Sequence, residues 1–191
     1  MSKFVLIDGH SILNRAFYGV PIFTNSEGLH TNAVFGFLNI MFKIIDSKQP
    51  DYMAVAFDVH QPTFRHEMFK DYKGTRKPMM EELREQVPVI KELLQKMNIT
   101  TVELPGYEAD DVIGTLSKKG EKAGMEVDVI SGDRDLLQLA SDHITICIPK
   151  TKKGQTTVEE YNTEGVMKLY KVTPTEFIDV KALMGDSSDN I

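Results

Sequence analysis

Nine carboxylates stand where they could act as a group: Asp8, Asp58, Glu108, Asp110, Asp111, Asp133, Asp135, Asp186 and Asp189. Asp8 ends the apolar run Phe4-Val-Leu-Ile7, and Asp58 ends Met53-Ala-Val-Ala-Phe57. Asp133 follows Val127-Asp-Val-Ile130 after a Ser-Gly turn, with Asp135 two residues on. Glu108, Asp110 and Asp111 open a helical pattern after Leu104-Pro-Gly106, and Asp186 and Asp189 are spaced to share one face. Each cluster alone has an ordinary reading, as a turn or as acids favoured at a helix N-terminus. Together they put acids at one kind of place, the carboxyl ends of strands, where open α/β sheets bind ligands. Carboxylates gathered there would repel one another and resist ionisation unless cations lay between them. Oxygen donors without Cys or His select hard ions, so Mg²⁺ or Mn²⁺ is the expected cofactor. Two such ions would suit hydrolysis of a phosphodiester.

The charge distribution fits that chemistry better than the net charge of −6 does. Setting the nine acids aside, the other 19 face 22 Lys and Arg, a balance of +3. The segment Pro62 to Pro78 carries Arg65, Lys70, Lys73, Arg76 and Lys77 against Glu67 and Asp71, with Phe64, Phe69 and Tyr72 interleaved. A long basic loop with aromatics beside a hard-metal cluster suits a polyanionic partner. Its plain alternative is a solvated charged surface.

The elements that must hold these residues alternate. Phe4–Asp8 and Met53–Asp58 read as strands buried on both faces of a parallel sheet, with weaker strands at Thr101–Leu104, Glu126–Ile130 and His143–Ile148. Helical patterns cover Thr31–Ser47, Met79–Asn98 with a break at Pro88, Ala109–Ala123, Leu136–Ser141 and Pro174–Met184. The alternation predicts a doubly wound α/β fold. Lys150–Thr157 reads as a polar turn or small hairpin.

The 191 residues show no repeat, linker or low-complexity tract, so a single domain is expected. The apolar start is cut by Asp8, and no run is long enough to cross a bilayer, so a cytoplasmic protein with no membrane partner is expected. The lone cysteine, Cys147, lies between two isoleucines and reads as a small buried hydrophobe in a reducing compartment. The five histidines have no zinc spacing.

Seven stretches carry a family resemblance: Val5-Leu-Ile-Asp-Gly-His10, Ala56-Phe-Asp58, Thr63-Phe-Arg-His-Glu67, Tyr72-Lys-Gly-Thr-Arg76, Gly106-Tyr-Glu-Ala-Asp-Asp111, Ser131-Gly-Asp-Arg-Asp135 and Leu183-Met-Gly-Asp-Ser-Ser-Asp-Asn-Ile191. In that order they resemble the 5′-nuclease domain of bacterial DNA polymerases I, within the flap endonuclease superfamily. The resemblance implies a PIN-like fold, with a mainly parallel sheet flanked by helices and a basic arch or clamp. It implies that Asp8, Asp58, Glu108, Asp110, Asp111, Asp133 and Asp135 surround two metal ions, with Asp186 and Asp189 serving the second. Lys73 and Arg76 are then expected to stabilise charge on the scissile phosphate, Tyr72 to stack on a base, its plain alternative being core packing, and Arg15 to contact a further phosphate. Arg65, Lys70 and Lys77 would contact DNA through the basic segment.

The function so implied is metal-dependent 5′-3′ exonuclease and flap endonuclease chemistry on DNA 5′ ends, flaps and RNA primers. Branched DNA and RNA–DNA hybrids are the expected partners, on the bacterial chromosome, with a polymerase domain as a further partner in a longer chain. The family continues with a helix-hairpin-helix, absent from this sequence, which ends at Ile191. A junction-binding module with little activity is therefore the competing expectation. A phosphatase with an aspartate nucleophile at Asp8 would want an acid two residues on, where His10 stands.

Overall fold

The buried apolar runs form the inner strands of one six-stranded sheet. The computed structural model describes residues 1–152 and 155–191. Its strands are β1 (Lys3–Asp8), β2 (Tyr52–Ala56), β3 (Thr100–Val102), β4 (Glu126–Ile130), β5 (Ile144–Lys152) and β6 (Gln155–Tyr161). They lie in the order β3-β2-β1-β4-β5-β6, parallel except for β6, which runs antiparallel to β5. The chain winds outward from β1 through β2 and β3, then returns to place β4 on the other side of β1. The crevice beyond the carboxyl ends of β1 and β4 is thus the topological switch point, where such sheets take ligands.

Alternate residues of each strand pack opposite layers. Val5, Ile7, Val55 and Phe57 face α1 (Gly9–Gly19), α2 (Asn32–Lys48) and α5 (Gln86–Lys96), meeting Phe37, Met41, Ile44, Ile90 and Leu94. Leu6, Ala54, Ala56 and Val129 face α6 (Ala109–Lys122) and the helices after β6, α7 (Thr163–Tyr170) and α8 (Glu176–Met184). Buried on both faces, these strands carry unbroken apolar sequence, which is why periodicity of two is absent from them.

Several sequence expectations need correction. The turn after β1 is a full helix, α1, capped by Asp8, whose side chain accepts from the Ser11 N–H. Gly9 is required there, since a Cβ would meet the Phe57 ring at 2.4 Å. The predicted long helix from Met79 breaks at Glu85 rather than Pro88, giving α4 (Glu81–Arg84) and then α5. Pro88 sits in the first turn of α5, where its missing N–H costs nothing because first-turn donors have no helical acceptor. Leu136–Ser141 is a 3-10 turn over Asp135–Leu139. The basic segment is not all loop: it begins with α3 (Phe64–Met68). The small hairpin read as one alternative at Lys150–Thr157 agrees with the antiparallel β5–β6 pairing, with residues 153 and 154 outside the described ones.

One polar device ties these layers together. Thr31 gives α2 no side-chain cap, and the fully buried Gln86 supplies it from α5. The Gln86 Oε1 accepts from the N–H groups of Ala33 and Val34 at 2.8 and 3.1 Å, while its Nε2 donates to Asn32 Oδ1 and to the Glu82 carbonyl. Asn32, also buried, donates to the Phe17 carbonyl at the end of α1. The chain that follows the basic segment is thereby anchored to α2 and, through Asn32, to α1.

Gln86→Leu keeps the volume but strands two buried N–H donors and the Asn32 amide oxygen. It should lower the unfolding free energy by about 2 kcal/mol or more, each orphaned group costing roughly 1–3. Urea denaturation checks this, and an unchanged midpoint would remove Gln86 from the account of stability.

Candidate metal centre and nucleic-acid interface

The acids converge because the sheet ends there. Asp8 closes β1, Asp58 follows β2, Asp110 lies in the first turn of α6, and Asp133 follows β4. With Glu108 they line one groove of about 670 Å³, which also takes in Lys73, Arg76 and Lys77. Two adjoining recesses share its walls. One contains Arg65, Tyr72, Asp111, Asp135 and Asp189 beside Glu108 and Asp110. The other contains Arg15, Asp135, Lys181 and Asp186 beside Asp133. Lys70 lines none of the three and is exposed.

Asp8 is the most enclosed of these carboxylates. Its oxygens accept from Ser131 Oγ at 2.7 Å and from the Ser11 N–H at 3.1 Å. Burial still pushes it up to about 6, with Asp58 and Asp133 adding repulsion. Asp110 is pushed further, to about 8, by burial first and then by Asp8, Asp133, Asp58 and Glu108. For Asp58, burial opposes the charge, but His10 and the Ala109 N–H, 2.7 Å from Oδ1, outweigh it and hold the group below the usual carboxylate range. Burial raises Asp135 against the pull of Lys181, whose Nζ lies 2.9 Å away.

The Ser131-Gly132-Asp133 turn is fixed by side chains. Ser131 Oγ accepts from the Asp133 N–H, Ser11 Oγ accepts from the Gly132 N–H, and Asp133 Oδ1 accepts from the Asp135 N–H. Ser131, Ser11 and His10 escaped the sequence reading. Only the position of Ser131 at a strand end and of His10 and Ser11 just after Asp8 could have signalled them.

Other residues stand differently from the expectation. Asp111 turns toward the basic segment: Arg65 grips it with two nitrogens at 2.7 and 2.8 Å, and its Oδ2 accepts from the Glu108 N–H. Its carboxylate is thus committed to holding α3 against α6, and the cation beside it outweighs burial to keep it ionised. Tyr72, expected to stack on a base, is only 5% exposed. Its hydroxyl donates to Glu108 and Asp189, each at 3.1 Å, and burial with those two acids raises it far above the usual range. Asp186 and Asp189 both approach the Ser188 hydroxyl, at 2.7 and 3.5 Å, but have different further partners. Asp189 holds Tyr72 and Arg76, whereas Asp186 accepts from Ser188 and lies 3.6 Å from Lys181.

The basic segment lies against these acids. Lys73 Nζ donates to Glu108 at 2.6 Å, and its backbone N–H donates to the Asp189 carbonyl. Lys73 adopts φ of +56°, in the left-handed region. Arg15, on α1, leaves its Nε buried without a partner among the described residues, its guanidinium lining the recess beside Gly132. Among the described residues no three carboxylates form a ready-made cage for an ion. The donor set nevertheless suits a hard divalent ion: it is all oxygen, and among the described residues Asp110 has no ion-pair partner.

No helix among the described residues is long and apolar enough to cross a membrane. The sequence pattern of the 5′-3′ exonuclease N-terminal, resolvase-like domain matches residues 3–171. DNA polymerase I of Bacillus caldotenax is 52% identical over 189 residues, and that of Bacillus subtilis 53%. Those matches cover 99% of this chain and 21% of each relative, so the chain spans about a fifth of their length. A bacteriophage T5 protein co-crystallised with metal ions superposes with a TM-score of 0.77 at 25% identity, over 99% of this chain and 69% of that one. The T5 flap endonuclease in a pseudo-enzyme–product complex with DNA and metal ions gives 0.76 at 25%, over 99% and 68%. The catalytic core of Rad2 bound to DNA shares the fold at 0.56 and 18% identity, over 99% and 56%. The sheet with its flanking helices is PIN-like, and the chain belongs to the 5′-3′ exonuclease family as its N-terminal, resolvase-like domain.

Proposed function

We propose that this chain is a divalent-metal-dependent, structure-specific 5′-3′ exonuclease and flap endonuclease. It hydrolyses phosphodiesters at DNA 5′ ends, flaps and RNA primers, in the cytoplasm on the chromosome, as part of a longer protein with polymerase domains. One observation carries the reading: Asp8, Asp58, Asp110 and Asp133 line one groove at the switch point, where burial first and their mutual repulsion second make Asp8 and Asp110 resist ionisation. A fold gains nothing in stability from repelling buried acids, and a cation between them relieves the repulsion. The T5 relatives that superpose on it hold metal ions, and one holds DNA.

Asp8, Asp58, Asp110 and Asp133, with Glu108, would hold one Mg²⁺ or Mn²⁺, and Asp135 with Asp186 a second. When bound, such ions activate a water and neutralise the leaving oxygen. The protein's own groups do the rest. Lys73 and Arg76 face the same groove and place positive charge where the phosphate becomes more negative. Arg15, whose guanidinium lines the adjoining recess, offers a cation to the neighbouring phosphate. The Arg65–Asp111 pair fixes the height of the basic segment above the groove. Hydrolysis with water as nucleophile and the 3′ oxygen as leaving group gives a 5′-phosphate and a 3′-hydroxyl.

A second reading, binding without cleavage, draws on the placement of Asp186 and Asp189, each with a basic side chain beside it that competes with an ion. A labelled 5′-flap duplex with and without Mg²⁺ separates the two. Cleavage near the junction only with Mg²⁺ supports the nuclease, and retention without cleavage supports the binding module.

Three further outcomes follow from the site. Because Asp110 and Asp8 hold protons up to about pH 8 and 6, metal entry must displace them. Mg²⁺ or Mn²⁺ affinity should rise between pH 5.5 and 8.5, with protons released at pH 7, as calorimetry in buffers of different ionisation enthalpy would read. A pH-independent affinity would contradict the assignment.

The metal-free protein should behave in the opposite sense. A carboxyl raised in the folded state binds more protons folded than unfolded, so its contribution to stability is full at low pH. That contribution falls as pH rises from about 4 through 8. Asp110→Asn should flatten that decline, raise the melting temperature at pH 8 without metal, and abolish flap cleavage. A melting curve with the same pH slope as the parent would show that Asp110 does not carry the repulsion.

Lys73→Ala should lower single-turnover cleavage by about a hundredfold, in the range seen when one transition-state donor is lost, with little loss of flap affinity. Lys70→Ala should leave that rate intact and weaken binding with a salt slope shallower by about one. Equal effects on rate and affinity in both variants would reduce the segment to an electrostatic surface.

A further inference from the structure

With Tyr72 buried, the aromatic that does face the groove is Tyr18, 71% exposed on α1. His10, Asn14 and Tyr18 follow one another at four-residue intervals along one face of α1 and line the same groove as Asp8, Asp58 and Asp110. From His10 to Tyr18 the helix rises about 12 Å. Helical side chains lean toward the helix N-terminus, so the ring leans back toward the acids. Its edge packs on Phe17, with ring centres 5.2 Å apart, and its hydroxyl lies 3.7 Å from Met80 Sδ. Met79 and Met80, both half-exposed, continue this wall.

The groove is therefore lined by two chemically distinct sets of side chains. One is carboxylates with Lys73, Arg76 and Lys77, the other an aromatic ring with thioethers at Tyr18, Met79 and Met80. A nucleotide divides in the same way, into a charged phosphate and a base with an apolar, polarisable face. We propose that Tyr18, backed by Met80, is the platform on which one unpaired nucleobase stacks beside the scissile phosphate. This rests on the nuclease reading and names a specificity element of that site. The base must be unpaired, because in a duplex its faces are covered by neighbouring bases. Tyr18 thereby selects substrates that can unstack there, and a fully paired end reacts only after fraying. The alternative is that Tyr18 merely links α1 to the basic segment through Met80.

The test uses a 5′-flap duplex carrying 2-aminopurine at successive positions around the junction. Fluorescence is read with Ca²⁺ in place of Mg²⁺, and cleavage is measured separately with Mg²⁺. The parent protein should change the fluorescence sharply at one position. Tyr18→Ala should abolish that change and slow single-turnover cleavage by roughly tenfold, the scale of one lost base–aromatic stack. Tyr18→Phe should retain both. An abasic site at that position should cost the parent the same factor and cost Tyr18→Ala nothing further. If Tyr18→Ala keeps the fluorescence change, or loses as much again at the abasic site, Tyr18 is not the platform. A parent that binds and gives the fluorescence signal without cleaving in Mg²⁺ overturns the nuclease reading while upholding the stacking platform. A parent that does not bind the flap overturns both.

Discussion

Like charge held close is the constraint on which this molecule turns. Four carboxylates from β1, β2, β4 and α6 meet over the switch point, and Asp8 is nearly enclosed. Left to themselves they would move apart or take up protons. What keeps them together is a frame of short polar contacts. Ser131 and the Ser11 N–H hold Asp8, the Ala109 N–H holds Asp58, and the Ser131-Gly132-Asp133 turn is pinned at each residue. Those donors are backbone and hydroxyl groups, which orient a carboxylate without cancelling its charge. A lysine or arginine in the same places would satisfy the acids and leave nothing for an ion to bind.

Basic residues do enter, but at the margin. Arg65, Lys73, Arg76 and Lys181 engage Asp111, Glu108, Asp189 and Asp135, a ring around the four inner acids. Asp111, Glu108 and Asp189 thus moor the basic segment, and Asp135 moors α8 through Lys181. The mooring is backed from behind by the buried Gln86–Asn32 pair, which fastens the chain leaving that segment to α1 and α2. Site and scaffold share one set of struts.

The sheet was legible in the sequence because strands buried on both faces must be apolar throughout, and Phe4–Ile7 and Met53–Phe57 are. The positions of the inner acids followed, since a polar residue ending such a run marks where the sheet meets solvent. What stayed hidden depends on contacts between segments far apart in the chain. Nothing near Asp111 announces that Arg65 will take both its oxygens, so it looked like Asp110. Tyr72 could be read as stacking on a base or packing in the core, and only Glu108 and Asp189, distant in the chain, show that its hydroxyl is drawn inward. Nothing in the sequence singles out Gln86. Pro88 misled in the other sense, since its cost depends on its distance from a helix start set by Glu85.

The left-handed backbone at Lys73 sets two demands against each other at one position. A residue with a Cβ is disfavoured at φ of +56°, and glycine or asparagine would relax the turn. Neither could put a cation against Glu108. The backbone alone would favour glycine, whereas the half-buried Glu108 carboxylate would be stranded without the lysine. The strain of the turn is therefore held in place by the ion pair it makes possible, and a change at either Lys73 or Glu108 removes the reason for the other's conformation.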